Sequence, residues 1–233
     1  ITTQQRKLGA SLDWERERFT MDEGLSEAVK KHFVDLYNDG LIYQGEYMVN
    51  RCPRCGTALA DDEVEMLDKE WNFREIKYPI VWTDESLILA TTRPETLLGD
   101  TGVAVHPDDS RYQHLIGKKV IVPLTGREVH IVADSYVEMD FGTGVVKMTP
   151  AHDPNDFEVG KRTWLDLLVV LTPDAKINEN GGKYAGLDRF EARKQIVADL
   201  EAQGYLVKVR KHNHAVGHCY RCNTVIEPRV SRQ

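Results

Sequence analysis

Four cysteines in two pairs, Cys52-Pro-Arg-Cys55 and Cys219-Tyr-Arg-Cys222, constrain this chain more than any other feature. Each pair is followed by a residue and a threonine (Thr57 and Thr224), so the pattern Cys-x-Arg-Cys-x-Thr occurs twice, near opposite ends of the sequence. Two such pairs suit a tetrahedral ion, because each knuckle turn presents both sulfurs to one metal, and four thiolates favour zinc. A thioredoxin-like redox motif would need one pair at a strand-to-helix junction, whereas here the pair is duplicated. Disulfides would need an oxidising compartment, and no secretory signal is present. The spacing predicts one structural zinc on Cys52, Cys55, Cys219 and Cys222. It would staple residues near 50 to residues near 220 and make everything between an insertion with joined ends. His212, His214 and His218 lie near the second pair and are alternative ligands, but four sulfurs already close the site, which favours reading them as surface or supporting residues.

The 233 residues suffice for one large domain, or one core with a small satellite. With 41% hydrophobic and 29% charged residues the chain reads as a folded, soluble, cytoplasmic protein. No apolar run reaches the length that spans a bilayer, so no membrane partner is expected. A net charge of −7 argues against a protein that coats nucleic acid through a broad basic face, but not against one that grips the end of a strand. The one dense basic stretch, Lys208-Val-Arg-Lys-His212, reads either as a phosphate track or as a charge-protected strand edge. A start at Ile1 and a stop at Gln233 read as a piece cut from a longer protein.

Thr20-x-x-Glu23 reads as a capping box for a helix running to about Asp39 and stopped by Gly40. A second helix is expected from about Asp188 to Gly204. Between them come short strands at close intervals: 78–83, 86–90, 119–123, 128–132 and 145–146. Turns at this frequency suggest a closed or nearly closed barrel. The expected class is α+β: a mixed β-barrel with flanking helices and a zinc-ribbon base.

Two polar runs follow strand-forming segments: Thr91-Thr92-Arg93-Pro94-Glu95-Thr96, and Lys147-Met-Thr149-Pro-Ala-His152-Asp153-Pro-Asn-Asp156. Lys147 and Thr149 alternate along a strand and so share a side. Asp153 and Asp156 flank a helix start, where they could bind a cation, act as an acid–base pair or cap the helix. His152 is a second-rank candidate base. No serine or cysteine sits on a sharp strand-to-helix turn, so no nucleophile–base triad is expected.

Thr91–Thr101, Ala104–Pro107, Phe141-Gly-Thr-Gly144, Lys147–Glu158, Asn178–Gly182, Gly186–Arg193 and Leu8–Asp22 together resemble the editing domain of the valyl-tRNA synthetase family, over essentially the whole chain. Leucyl and isoleucyl enzymes share the threonine-rich and His-Asp-x-x-Asp runs in looser form, and Lys147-x-Thr149 points to the valyl member. The resemblance implies hydrolysis of threonine wrongly esterified to valine tRNA. Asp156 would bind the α-ammonium, Lys147, Thr149 and Asp153 would surround the side-chain hydroxyl, and Arg93 and Phe141 would line the pocket for adenosine and amino acid. Thr91, Thr92 and Thr96 would hold the ester and the attacking water. It further implies a partner in the 3′ end of valine tRNA, a monomer, and attachment to a synthetase body. Residues 1–50 would be the flanking helical segment, 51–73 the first knuckle segment, 74–211 the editing core and 212–233 the second knuckle segment. His-x-Gly-His and Lys-Met-Ser-Lys-Ser are absent, so no amino-acid activation is expected. Arg51 and residues 163–168 depart from the family pattern. Two rival readings are a non-catalytic zinc-ribbon module that binds tRNA and an isoleucyl or leucyl editing domain.

Overall fold

The longest strand of the molecule is β3 (Val64–Pro79), in which apolar and polar residues alternate over Trp71–Arg74 and again, after a register shift at Glu75/Ile76, over Ile76–Tyr78. The computed structural model describes residues 1–233. Residues 1–45 with Gln233 form one compact unit, and 46–232 form the other.

The first unit holds α1 (Thr2–Lys7) and α2 (Glu23–Asn38). The cap of α2 is Asp22 rather than Thr20: its carboxylate accepts from Leu25 N–H at 2.8 Å and pairs with Arg18 at 2.6 Å. A carboxylate so placed satisfies an orphan amide and the helix dipole together, which displaces the threonine. Gly40, at φ +71°, ends the helix as expected. The apolar residues Val29, Phe33 and Tyr37 of α2 are exposed.

The second unit contains three sheets. One pairs β1 (Glu46–Cys52) with β2 (Thr57–Leu59) and β10 (Glu227–Arg232), all antiparallel. The next sets β3 between β4 (Ser86–Thr91) and β9 (Leu206–Cys219). The last runs β6 (Lys119–Ile121), β7 (Glu128–Ala133), β5 (Gly102–Val105), β8 (Val145–Met148), with β5 and β7 parallel. Two helices flank them: α3 (Pro154–Thr163) and α4 (Arg189–Ala202), the latter capped by Asp188 as expected and burying Ala192, Ile196 and Leu200.

The class is mixed α+β, but no sheet closes into a barrel, which corrects the expectation from strand spacing. The second and third sheets cover one core, including Ile76, Tyr78, Leu89, Val103, Val120 and Ile131, and are hydrogen-bonded to each other at the isolated bridge Ile80–Val120. Closure fails between β4 and β8, which lie side by side without ladder hydrogen bonds. Short strands fix the curvature of a sheet but not whether its last two edges pair. Residues 81–83, expected as strand, form a turn with Trp82 at φ 64°.

Gly144 belongs to the turn that feeds β8. Its φ is +74°, and a Cβ there would lie 2.9 Å from Met139 O, so both conformation and space demand glycine. Gly144→Ala is expected to lower stability by about 1–3 kcal/mol, read as a shift of the urea midpoint at constant slope.

Candidate functional site

The gap between β4 and β8 is a cleft of about 280 Å3, lined by Ala90, Thr91, Val146 and Lys147 from the two unpaired edges. The start of α3 adds Asp153 and Asp156, the turn after β4 adds Thr92, Arg93 and Thr96, and Phe73, Tyr136, Phe141 and His152 complete the wall. Of the residues expected to form the site, Thr91, Thr92, Arg93, Thr96, Phe141, Lys147, Asp153 and Asp156 line the cleft and Thr149 does not.

Lys147 and Thr149 do face the same way. Thr149, 1% exposed, donates to Asp100 Oδ1 at 2.5 Å and accepts from the Lys147 ammonium, which itself lies 3.1 Å from the same oxygen. Tyr78 Oη donates to the other oxygen of Asp100 at 2.6 Å. Burial pushes the Asp100 pKa up, and Lys147 opposes it. An ammonium has three donors, and Asp100 and Thr149 occupy two, so the third is left for the cleft. Asp100 lies within the Thr91–Thr101 run, and the sequence reading does not single it out. Its signal was an acid set between Leu97-Leu98-Gly99 and the apolar β5, where an unpaired charge would be too costly.

Asp153 caps α3, accepting from Asn155 N–H at 2.9 Å and Asp156 N–H at 3.2 Å through one oxygen. Asp156 is different. It is 6% exposed, accepts from Thr149 N–H at 2.8 Å, and has no cation paired with it. Burial, and then the nearby Asp153 carboxylate, push its pKa up to about 7. An ammonium entering the cleft would supply the missing counter-charge and draw that pKa back down.

His152 is 1% exposed, and Nε2 accepts from Val170 N–H at 2.9 Å. The proton of the neutral ring therefore sits on Nδ1, which has no partner. Burial, then Arg93 and Lys147, lower its pKa to about 3, so at neutral pH it anchors the 170 segment as an uncharged ring.

The threonine run is held by charge. Arg93 reaches Glu95 at 3.3 Å, Glu227 at 2.6 Å and the His152 carbonyl at 3.1 Å. Glu95, wholly buried, also binds Arg193 at 2.7 Å, and Glu227 binds Arg189 at 2.5 Å. The guanidinium of Arg93 is thus spent on fixing the turn. Thr91 accepts from Arg93 N–H and Thr96 donates to Arg93 O, each at 3.0 Å, while Thr92 makes no side-chain hydrogen bond within the chain.

The four cysteine sulfurs lie within 4.8 Å of one another, with Cys52 and Cys219 buried and Cys55 exposed. Tetrahedral thiolate bonds of about 2.3 Å set sulfurs at this kind of separation, so the cluster fits a metal ion. Arg51 braces the first knuckle, donating to Gly56 O at 2.7 Å and Pro173 O at 3.4 Å. In the other departing segment, Trp164 is 92% exposed and Leu165 packs against Gly102. His212 and His214 stand in a row of rings, and neither they nor His218 join the cysteine cluster.

The raised pKa of Asp156 sets a direction for stability. The folded carboxyl holds its proton up to about pH 7 and the unfolded one only to about pH 4, so stability falls as pH rises through that window. Asp156→Asn keeps an acceptor for Thr149 N–H and removes the charge. It is expected to raise stability by about 1–3 kcal/mol at pH 8 and to change it little at pH 4, read as thermal midpoints at the two pH values.

The family model described as tRNA synthetases class I (I, L, M and V) matches residues 1–231. Valine–tRNA ligase of Fusobacterium nucleatum is 65% identical over the whole chain, and that of Thermotoga maritima 59%. The chain spans about a quarter of their length, 26% and 27%. A solved ternary complex of Agrobacterium radiobacter LeuRS with tRNA and LeuAMS covers 97% of this chain and 39% of its own. Its identity is 20% and its TM-score 0.49, too distant to add to the assignment. No helix is long and apolar enough to cross a membrane. A sequence match of this extent leaves one conclusion: the chain belongs to the class I tRNA synthetases, and it is similar throughout to valine–tRNA ligases.

Proposed function

We propose that the cleft hydrolyses the ester joining threonine to valine tRNA. The observation that carries this reading is Asp156, a buried carboxylate with no cation paired to it, in a cleft that it shares with Lys147, the threonine hydroxyls and the capping carboxylate Asp153. A free α-ammonium is the charge that such a site lacks. Water attacks the ester carbonyl and the ribose oxygen leaves, so threonine and free tRNA are the products. Thr92, with its hydroxyl free, and Thr91 and Thr96 in the same turn hold the ester and the water. Phe141, half-exposed at the rim, and Arg93, through the turn it fixes, shape the space for the terminal adenosine. The relatives are named as tRNA ligases, which makes a tRNA 3′ end the natural source of the ester.

Selectivity follows from isostery. A hydrophobic site cannot strongly reject threonine, which differs from valine by a hydroxyl for a methyl, and the valyl enzyme is the standard illustration of that limit. A second site must therefore demand the hydroxyl. The third N–H of Lys147 donates to the hydroxyl oxygen, and Asp153, with one oxygen not used in the cap, accepts its proton. Thr149 and Asp100 hold Lys147 in place. Valine would leave these groups unpaired, at about 1–3 kcal/mol for each neutral one and more for a charge. A non-catalytic zinc-ribbon module would not need an uncompensated acid in a cleft, and a pocket that demands a hydroxyl does not suit leucine or isoleucine.

The structural metal is read as zinc, held by Cys52, Cys55, Cys219 and Cys222 with no part in the hydrolysis. About one zinc per chain is expected in reduced protein, with Zn–S distances near 2.3 Å by X-ray absorption. Chelation should loosen residues 50–60 and 215–228 before the β3–β8 core. A metal-free preparation with an intact ribbon would refute the assignment.

Asp156→Ala should slow release of threonine from threonyl-tRNA by about a hundredfold or more, because the ammonium loses the group that orients it. His152→Ala, which removes no substrate contact, should cost less. Wild-type hydrolysis by Asp156→Ala, or a covalent adduct trapped on any residue, would reject the mechanism.

A further inference from the structure

The cysteine-bearing ribbon has almost no apolar core of its own. Its buried cluster is Cys52, Leu59 and Cys219, with Val64, Cys222 and Ile226 partly buried against it. Short strands with so little burial depend on a cross-link, and the four sulfurs are placed to supply one through a metal ion. Those sulfurs are not equally sheltered. Cys52 and Cys219 are wholly buried, Cys222 is half-buried and Cys55 is exposed. A metal keeps each of them as the thiolate, and an exposed thiolate is open to a small oxidant. The other three sulfurs lie within 4.8 Å of Cys55, and Cys52 and Cys222 are 3.5 Å from each other. Neighbours at this range turn oxidation of one sulfur into a disulfide.

The same ribbon anchors the turn that forms one wall of the cleft. Glu227, five residues after Cys222, stands opposite Arg51 in the β1–β10 ladder, and Arg51 adjoins Cys52. Both routes along the chain from Glu227 thus lead to metal-binding sulfurs. The knuckle between them is a tight turn: Asn223 N–H donates to Cys219 O at 2.8 Å, Cys219 N–H donates to Thr224 O at 2.9 Å, and Asn223 has φ 56°. Arg189 grips the next residues, donating to Val225 O at 2.6 Å and Ile226 O at 3.3 Å, and Arg93 pairs with Glu227 at 2.6 Å. If the ribbon loosens, water reaches the Glu227 pairs and screens an attraction that depends on burial. Arg93 is then left with Glu95 and the His152 carbonyl.

We propose that the cysteine cluster is a peroxide-sensitive redox site whose oxidation releases the metal and unfastens the threonine turn. The Cys55 thiolate attacks one oxygen of hydrogen peroxide, the O–O bond breaks, and with one proton taken up the products are a sulfenic acid and water. A neighbouring thiolate attacks that sulfur, forms the S–S bond and expels hydroxide, which a second proton converts to water. Two thiolates have then lost two electrons and the peroxide has become two waters. The ion keeps only the two sulfurs that were not oxidised, too few for a closed tetrahedral site. A thiol reductant together with zinc reverses the change. The effect on the cleft rests on the hydrolytic reading, whereas the release of metal and the loosening of the turn do not.

The test uses zinc-loaded, reduced protein titrated with hydrogen peroxide. Released zinc is read with a chromophoric chelator, free thiols are counted, and the first disulfide is located by peptide mapping. The expected result is about one zinc released for each pair of thiols consumed, Cys55 in the first disulfide, and recovery with dithiothreitol and zinc. Hydrogen exchange on the same samples should rise at 215–228 and at the 91–96 turn, while β3 and β5 keep their protection. Hydrolysis of threonyl-tRNA should fall about tenfold or more and return on reduction, because the turn no longer holds the ester in place. Zinc retained until the whole protein unfolds, a first disulfide without Cys55, or zinc released with exchange at 91–96 unchanged would each overturn the proposal. If the unmodified protein hydrolyses no threonyl-tRNA, the hydrolytic reading falls, and zinc release with exchange at 91–96 decides the redox site alone.

Discussion

An alternating chain of buried charge, Arg193–Glu95–Arg93–Glu227–Arg189, holds the site together. It joins three segments that are remote in sequence: the turn after β4, helix α4 and strand β10 of the cysteine-bearing sheet. Glu95 is wholly buried, and burial alone would neutralise it, but Arg193 and Arg93 hold its pKa down. Removing one member would strand another charge in low dielectric, a loss of about 3–5 kcal/mol. The threonine turn thus acquires a fixed position from a distance, and its hydroxyls need not rely on a flexible loop. The cysteine-bearing sheet reaches the cleft through Glu227, so what secures the ribbon also steadies the turn.

With that frame fixed, the cleft can hold a carboxylate that no cation of the chain pairs with. Asp100 and Lys147 neutralise each other at the floor, whereas Asp156 a few residues away has no cation. The contrast separates the two carboxylates: one positions a lysine, and the other is the group that the proposed function pairs with the substrate ammonium. The raised pKa of Asp156 is the stability cost of that arrangement. Leaving β4 and β8 unpaired is a second such cost, since a closed sheet would satisfy both edges but remove the cleft.

Much of this was legible in the sequence. The period of two along 145–149 placed Lys147 and Thr149 on one side, the cysteine spacing gathered four sulfurs, and Asp188 and Gly204 bounded α4. What sequence could not supply was depth and partnership. Alternation says which way Thr149 points but not that Asp100 and Lys147 occupy its hydroxyl. Arg93 reads as a pocket lining, yet its guanidinium is held by Glu227, 134 residues away, a pairing no local pattern contains. Strand spacing suggested closure, and closure depends on how two distant edges meet. The cap of α2 differs from the sequence expectation because Thr20 and Asp22 both suit the position, and it is the Asp22 carboxylate that meets Leu25 N–H.

The central claim is that the cleft reads a hydroxyl and cleaves the ester beside it. Rates of deacylation of threonyl- and valyl-tRNA by the unmodified protein, measured side by side, test it most directly. The account predicts release of threonine with valine retained on the same tRNA. Equal rates on the two, or release of neither, would contradict it.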